Sequence, residues 1–305
     1  MGKLDGRVAV ITGAGRGIGA AAARQMAAEG ASIVVVDIGA GLDGTGTDEG
    51  PAQEVVSQIK QAGGNAIVVT GDVSDSGDAE GIIRSAVDEF GRLDVLINAA
   101  GILRDRMLFN MSEEEWDDVI RVHLKGCFNT SKFASIYWRA AREGDYRLIN
   151  FSSIAGIYGN PSQPNYAAAK MGIYGFTMSC ANALAKYGVT SNCISPGAAT
   201  RMAETIPDEK LRAAGVDVEA RNANKESRAP EAMVPAILYI ASKESAWLNG
   251  RMIGAQENRI SLWSNPEIQR QIISTGPWEL DDVFDLMPRS FQAAVEGRKN
   301  LTEAG

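Results

Sequence analysis

A chain of 305 residues with 45% apolar and 22% charged residues can bury a large core, and its length fits one large α/β domain or two smaller ones. Its net charge of −8, with no run rich in Lys and Arg, argues against affinity for phosphate backbones and so against a nucleic-acid role. The single histidine, His123, excludes Ser-His-Asp hydrolysis and His-clustered metal sites, and Cys127, Cys180 and Cys193 lack metal-ligand spacing, so no metal is expected. No segment reaches the roughly 18 apolar residues of a membrane span, and residues 1–7 have no apolar signal core, which predicts a soluble, cytoplasmic protein.

Arg7 to Thr12 is a short apolar, β-rich run that ends in Gly13-Ala-Gly15-Arg16-Gly17-Ile18-Gly19 and leads into an Ala-rich helical pattern over 20–29. A strand, a glycine turn and a helix N-terminus make an anion site, because free backbone N–H groups and the helix dipole point toward a pyrophosphate. Gly13, Arg16, Gly17, Ile18 and Gly19 are therefore candidate dinucleotide contacts. The next strand, 32–37, ends in Asp37, roughly 20 residues past the glycines, where a carboxylate accepts hydrogen bonds from a ribose 2′-hydroxyl. Asp37 repels a 2′-phosphate, whereas the Arg16 guanidinium could grip one. The strand fixes Asp37 while the Arg16 arm can swing to solvent, so the expected cofactor is NAD rather than NADP. A turn or helix-capping role is the alternative for Asp37.

Residues 38–50 are glycine-rich and acidic and read as an exposed loop with no assigned role. A helix follows over 52–62, a strand over 66–70, and a turn in which Asp72 could face an adenine beside Val73. Residues 75–90 read as a helix and 93–97 as a strand. That strand runs into Asn98-Ala99-Ala100-Gly101, whose small residues leave room for a flat cofactor. Ser112-Glu-Glu-Glu115 is a capping-box pattern opening a long amphipathic helix to about residue 143. It carries His123 mid-helix, where core packing is the commoner role.

The apolar run Leu148 to Phe151 reads as a buried parallel strand, with Ser153 opening the loop at its carboxyl end, where ligands dock in open α/β sheets. Tyr166 and Lys170, four residues apart, share a face of the next helix. An ammonium ~4 Å from a phenol at an effective dielectric of ~20 contributes ~4 kcal/mol, enough to lower the phenol pKa by ~3 units before desolvation erodes the gain. Ser153 could hold a substrate oxygen while Tyr166 moves its proton. Taken by itself, the Tyr166/Lys170 spacing also fits a surface pair on an Ala-rich helix.

The helix is expected to continue to about residue 187, with a strand over 190–195. Pro196-Gly197 would turn the chain back over the cofactor, where the Thr200 hydroxyl could meet a nicotinamide carboxamide. Residues 201–228 are polar and irregular, a mobile flap over substrate. Residues 231–241 read as a helix and 252–254 as a last strand. Alternating strands and helices imply an α/β fold, a doubly wound parallel sheet with helices on both faces. Residues 1–259 form the dinucleotide-binding and catalytic domain. The extension 260–305 carries Trp263, Trp278, Phe284, Leu286, Met287 and Phe291, an aromatic content that argues against a disordered tail. It is expected to pack on the domain or on a neighbouring subunit.

Together, Thr12-Gly-x-x-x-Gly17-x-Gly19, Asp72, Asn98-x-Ala-Gly101, Ser153, Tyr166-x-x-x-Lys170 and Pro196-Gly197 resemble the short-chain dehydrogenase/reductase family over about residues 5–254. The resemblance implies a Rossmann domain, hydride transfer between a nicotinamide and a carbinol carbon, and a homodimer or homotetramer. It makes Tyr166 the acid-base, Lys170 its charge partner and ribose ligand, and Ser153 the donor to the substrate oxygen. The family's catalytic asparagine is replaced by His123, and the second asparagine of its Asn-Asn-Ala-Gly motif by Ala99. The former change leaves His123 to hold a relay water or to be bypassed. The segment Val122-His123-Leu-Lys-Gly126, the loop after Asp37 and Ile102-Leu-Arg-Asp-Arg-Met107 are similar to the dehydrogenase unit of peroxisomal multifunctional β-oxidation enzymes. That similarity implies lipid metabolism, NAD and a 3-hydroxyacyl-CoA or steroid substrate. The rival readings are an NADPH-dependent 3-oxoacyl-acyl-carrier-protein reductase and a non-catalytic dinucleotide sensor or structural subunit.

Overall fold

The computed structural model describes residues 2–41, 43–142, 144–197, 228–256 and 258–296. They fall into two units, Met1–Trp263 and Ser264–Gly305.

The first unit holds strands β1 (Val8–Thr12), β2 (Ser32–Val36), β3 (Asn65–Val69), β4 (Val95–Asn98), β5 (Tyr146–Phe151), β6 (Val189–Pro196), β7 (Met252–Gln256) and β8 (Arg259–Leu262). They form one sheet in the order β3-β2-β1-β4-β5-β6-β7-β8. Neighbours pair parallel throughout except for β7 and β8, which are antiparallel. Its helices are α1 (Gly17–Ala28), α2 (Gly50–Gln61), α3 (Ser76–Phe90), α4 (Glu113–Ile120), α5 (Gly126–Ala141), α6 (Ile154–Tyr158), α7 (Pro164–Leu184) and α8 (Pro230–Ala241).

Strands β1, β2 and β4 are mostly apolar because both faces are covered, whereas β5 and β6 also carry buried polar residues such as Arg147, Asn150 and Asn192. On β1, Ala9 and Ile11 join Met26, Ile59 and Ile237 of α1, α2 and α8. Val8 and Val10 face the other way and meet Ile82, Trp138 and Leu184 of α3, α5 and α7. The sheet is therefore doubly wound, and its strand order reverses between β1 and β4, which opens a crevice at their carboxyl ends. Register places Thr12 beside Asn98, Asn98 beside Asn150, and Asn150 beside Cys193, so these polar side chains form one row at the rim.

Three local features depart from the sequence pattern. The helix expected over 112–143 begins with the Ser112/Glu115 capping box but is broken at Arg121–Lys125 by a π turn, which separates α4 from α5. A single-turn helix, α6, follows Ser153. Residues 259–262 add β8 at the sheet edge, and Trp263 packs against Tyr174, Cys193 and Met252. Among the described residues no helix is long and apolar enough to cross a membrane, and no cluster of three or more His, Cys, Asp or Glu is placed to hold a metal.

In the second unit, α9 (Leu280–Glu296) exposes Leu280, Phe284, Met287 and Val295. An Asp285–Arg289 pair at 2.8 Å lies along it, and Arg270 donates to the Ser290 carbonyl at 2.9 Å.

Candidate active site

The crevice is lined first by the glycine turn between β1 and α1. Gly13 and Gly17 have φ of +66° and +55°, the left-handed region that glycine enters without strain. A Cβ at Gly13 would lie 2.8 Å from the Ala100 backbone, and one at Gly15 2.8 Å from the Asp37 carboxylate. Helix α1 has no acidic residue in its first turn and no capping side chain, so its first N–H groups keep their partial positive charge for an anion. Ile18 packs from this turn onto the core. The Thr12 hydroxyl accepts the Ala99 and Ala100 N–H groups at 3.1 and 3.2 Å and so pins the exit of β4 to β1. A backbone cradle that Cβ atoms would fill fits a dinucleotide diphosphate.

Asp37, directly after β2, accepts the Gly15 N–H through Oδ2 at 2.8 Å and the Gly39 N–H through Oδ1 at 2.7 Å. Arg16 does not extend into solvent: Nη2 reaches Asp48 Oδ2 at 3.2 Å and Nη1 donates to the Ala40 carbonyl at 3.4 Å. Asp72 accepts the Ser74 N–H at 2.8 Å and the Arg121 guanidinium at 3.2 Å, bonds that lock the turn between β3 and α3. Val73 is buried there, and a Cβ at Gly126 would lie 2.6 Å from its Cγ2. Asn98 is buried, with Nδ2 donating to Asn150 Oδ1 at 2.9 Å and Ser131 Oγ at 3.2 Å, and Oδ1 accepting from Thr130 at 2.7 Å. Its side chain braces the rim.

On the far side of the crevice, Ser153 caps α6 by accepting the Ala155 N–H at 3.2 Å, and its hydroxyl stands close enough to the Tyr166 phenol to lower its pKa. Lys170, one turn after Tyr166 on α7, is buried, donates to the Phe151 carbonyl at 2.8 Å and lies 5.3 Å from the centre of the Tyr166 ring. The fold thus brings Ser153, Tyr166 and Lys170 together at the carboxyl end of β5.

The electrostatics of this group differ from the expectation drawn from spacing. Burial pushes the Tyr166 phenol up to about 12; the Ser153 hydrogen bond pulls it down and the Asp105 charge pushes it further up. The Lys170 ammonium is turned to the Phe151 carbonyl, and burial lowers its own pKa to about 8. Desolvation therefore outweighs the charge–phenol attraction here.

His123 occupies the π turn and is buried, with its ring edge-on to Tyr166 at 5.2 Å between centroids and 86° between planes. Its Nε2 lies 2.8 Å from the Ile102 carbonyl and 3.1 Å from the Ile102 N. Nδ1 is buried with no hydrogen-bond partner among the described residues. Burial, then the Lys170 charge, hold the imidazole pKa well below its ordinary value, so the ring is neutral at pH 7. A Cβ at Gly101 would overlap His123 Cε1, which gives this glycine a packing reason beyond smallness beside a cofactor.

Asn165 escaped the sequence reading, although a polar residue between the helix-opening Pro164 and Tyr166 was a usable signal. It is fully buried; Oδ1 accepts the Tyr166 N–H at 2.7 Å, while Nδ2 donates to the Arg104 and Glu115 carbonyls at 3.0 and 2.9 Å. Asn165→Ala leaves those backbone groups unpaired and is expected to cost about 2–4 kcal/mol, read by denaturant unfolding. An unchanged midpoint would show that water replaces the amide.

Across the crevice mouth, Gly197 donates to the Ala255 carbonyl at 2.8 Å, extending the pairing of Pro196 with Ala255. A Cβ at Gly197 would lie 2.5 Å from Gln256 Cγ. Thr200 and residues 201–227 of the expected flap lie outside the described residues.

A doubly wound sheet with a glycine-lined crevice and a Ser/Tyr/Lys group at its rim defines a dinucleotide-dependent oxidoreductase class. The family model described as short chain dehydrogenase matches residues 7–211. The chain is 40% identical to a hydroxyacyl-CoA dehydrogenase of Mycobacterium tuberculosis, over 90% of this chain and 84% of that protein. It is 46% identical to a peroxisomal hydratase-dehydrogenase-epimerase of Neurospora crassa, over 69% of this chain and 23% of that longer protein. The crystal structure of a short chain dehydrogenase from Mycobacterium avium, 40% identical, superposes with a TM-score of 0.80 over 95% of this chain and 97% of that one. This chain belongs to the short-chain dehydrogenase family. It is an oxidoreductase acting on CH–OH groups of a small-molecule substrate with a nicotinamide dinucleotide.

Proposed function

We propose that this enzyme oxidises the secondary alcohol of a 3-hydroxyacyl-CoA thioester with NAD. The observation that carries the chemistry is the Ser153, Tyr166 and Lys170 group beside the glycine turn. The thioester assignment draws on the similarity to a hydroxyacyl-CoA dehydrogenase along 90% of the chain. A steroid hydroxyl is the second substrate class compatible with the same group.

The glycine turn and the first N–H groups of α1 would hold the diphosphate, Asp37 the adenosine ribose and Lys170 the nicotinamide ribose. When bound, the dinucleotide supplies the hydride acceptor. The Ser153 hydroxyl holds the substrate oxygen, and Tyr166 takes the hydroxyl proton as the carbinol C–H bond breaks and the ketone forms. In the reverse direction the phenol returns that proton. Lys170, as the ammonium, favours the phenolate. His123 holds the Tyr166 ring edge-on, and its Nδ1, unpartnered among the described residues, accepts from a water that carries protons away from Lys170.

Two features support NAD over NADP: Asp37 is fixed by two backbone N–H groups, and the Arg16 guanidinium is engaged by Asp48. Arg16 itself is what favours the competing reading, an NADPH-dependent acyl-carrier-protein ketoreductase. The proposal includes a catalytic domain over 1–259, an extension over 260–305 and a homo-oligomer, the last supported by exposed Trp116, Phe128, Ile136 and Met171 on α4, α5 and α7. It also places the enzyme in the cytoplasm and in lipid metabolism.

The test is reduced-nicotinamide formation from 3-hydroxyacyl-CoA enantiomers and hydroxysteroids, each with NAD and with NADP. Faster turnover of a thioester with NAD is expected. No thioester turnover, or faster turnover with NADP, overturns the corresponding half of the proposal.

The pH dependence has a definite sign. The phenol is protonated at rest, so kcat/KM for oxidation should rise about tenfold per pH unit from neutrality, easing above about 8, where Lys170 loses its proton. Reduction, which uses the protonated phenol, should stay flat over the same range. Matched profiles in both directions check this, and a pH-independent oxidation rate would remove Tyr166 from the proton step.

A further inference from the structure

The loop of residues 38–50 had no role in the sequence reading, yet it holds the one basic side chain of the glycine turn. Asp48 accepts the Gly50 N–H through Oδ1 at 3.0 Å and Arg16 Nη2 through Oδ2 at 3.2 Å, while Arg16 Nη1 donates to the Ala40 carbonyl at 3.4 Å. The loop is held at both ends. Near its start, Asp37 accepts the Gly39 N–H at 2.7 Å, and a Cβ at Gly39 would overlap the Asp48 backbone. At its end, Glu49 accepts the Thr70 hydroxyl at 2.9 Å. The Gly15 N–H that fixes the Asp37 carboxylate comes from the residue next to Arg16, so the acid and the base flank one spot.

We propose that Asp48 is a cofactor-specificity residue, which acts by holding the Arg16 guanidinium along the 38–50 loop and away from a 2′-phosphate beside Asp37. This rests on the NAD reading above and adds a second element to it. Asp37 disfavours a 2′-phosphate by direct charge repulsion, whereas Asp48 removes the group that would compensate for it. A 2′-phosphate must draw Arg16 from Asp48 before it gains a charged partner. The pair is partly exposed, so the barrier is modest and salt-sensitive. Specificity built this way is a difference between two affinities, with a withheld attraction as its source.

The experiment measures kcat/KM for NAD and NADP in the wild type, Asp48→Ala, Asp48→Glu, Arg16→Gln and the Arg16→Gln/Asp48→Ala double variant. Asp48→Ala should raise the NADP-to-NAD ratio about tenfold, chiefly through a lower KM for NADP and less so at high salt. Asp48→Glu should restore most of the wild-type ratio. In the Arg16→Gln background the Asp48 substitution should leave the ratio unmoved, because the guanidinium it restrains is gone. A ratio unchanged by Asp48→Ala in an enzyme that prefers NAD, or the same rise with and without Arg16, overturns the restraint and leaves the NAD reading intact. A wild type faster with NADP overturns the NAD reading and this inference with it.

Discussion

Tyr166→Phe is expected to lower kcat for alcohol oxidation by about a thousandfold while changing stability little. The phenol lies beside the Ser153 hydroxyl, and among the described residues no neighbouring side chain can replace it as a proton acceptor: His123 is buried behind the ring, and the Lys170 amine is directed at the Phe151 carbonyl. The ring has packing contacts that phenylalanine keeps, including the edge-on contact with His123 at 5.2 Å between centroids. Loss of the hydroxyl removes a proton path without opening a cavity. Steady-state kinetics and a thermal melt on the same preparation separate these effects. A variant with wild-type turnover would end the acid-base assignment, and one that fails to fold would show that the hydroxyl is structural.

Lys170→Met is expected to abolish activity and to raise stability at neutral pH. Burial lowers the lysine pKa from 10.5 to about 8, so below pH 8 the fold carries a buried ammonium that the unfolded chain would hold in water. At ~1.36 kcal/mol per unit, the full cost of that charge is about 3 kcal/mol, less what is lost when the Phe151 carbonyl gives up its donor. The sign follows from proton linkage. Between about pH 8 and 10.5 the unfolded chain binds more protons than the native one, so wild-type stability from this group rises with pH across that window. The advantage of the methionine variant should therefore be largest below pH 8 and shrink toward 10.5. Urea unfolding at several pH values measures it. A variant less stable than the wild type at pH 7 would mean that the ammonium is better solvated than its burial implies.

The alternation of apolar runs with amphipathic stretches made the doubly wound sheet legible, since fully covered parallel strands such as Val8–Thr12 and Ser32–Val36 are apolar but for one terminal hydroxyl residue each. The glycine turn and the Tyr166/Lys170 spacing were legible because a tight turn and a helical face each have a fixed residue period. What escaped depends on tertiary placement. β8 is short and exposed, so Arg259–Leu262 gives too little pattern of its own until β7 lies beside it. Asp48 looks like any acidic loop residue until Arg16 reaches it at 3.2 Å. The balance between Tyr166 and Lys170 went the other way because spacing reveals that two groups are neighbours but not how much water they lose.

The π turn at Arg121–Lys125 gives the segment between α4 and α5 a wider coil than its flanks. Such a turn holds about one residue more than an α turn, so deleting one there and letting the coil tighten would leave α4 and α5 roughly in phase. The same deletion inside α5 would swing everything downstream around the axis by about 100°, carrying Trp138, now wedged under the sheet, toward solvent. A change of length should therefore be absorbed best where the helix is least regular, and the frame of the gene is held most tightly along the regular coil that follows.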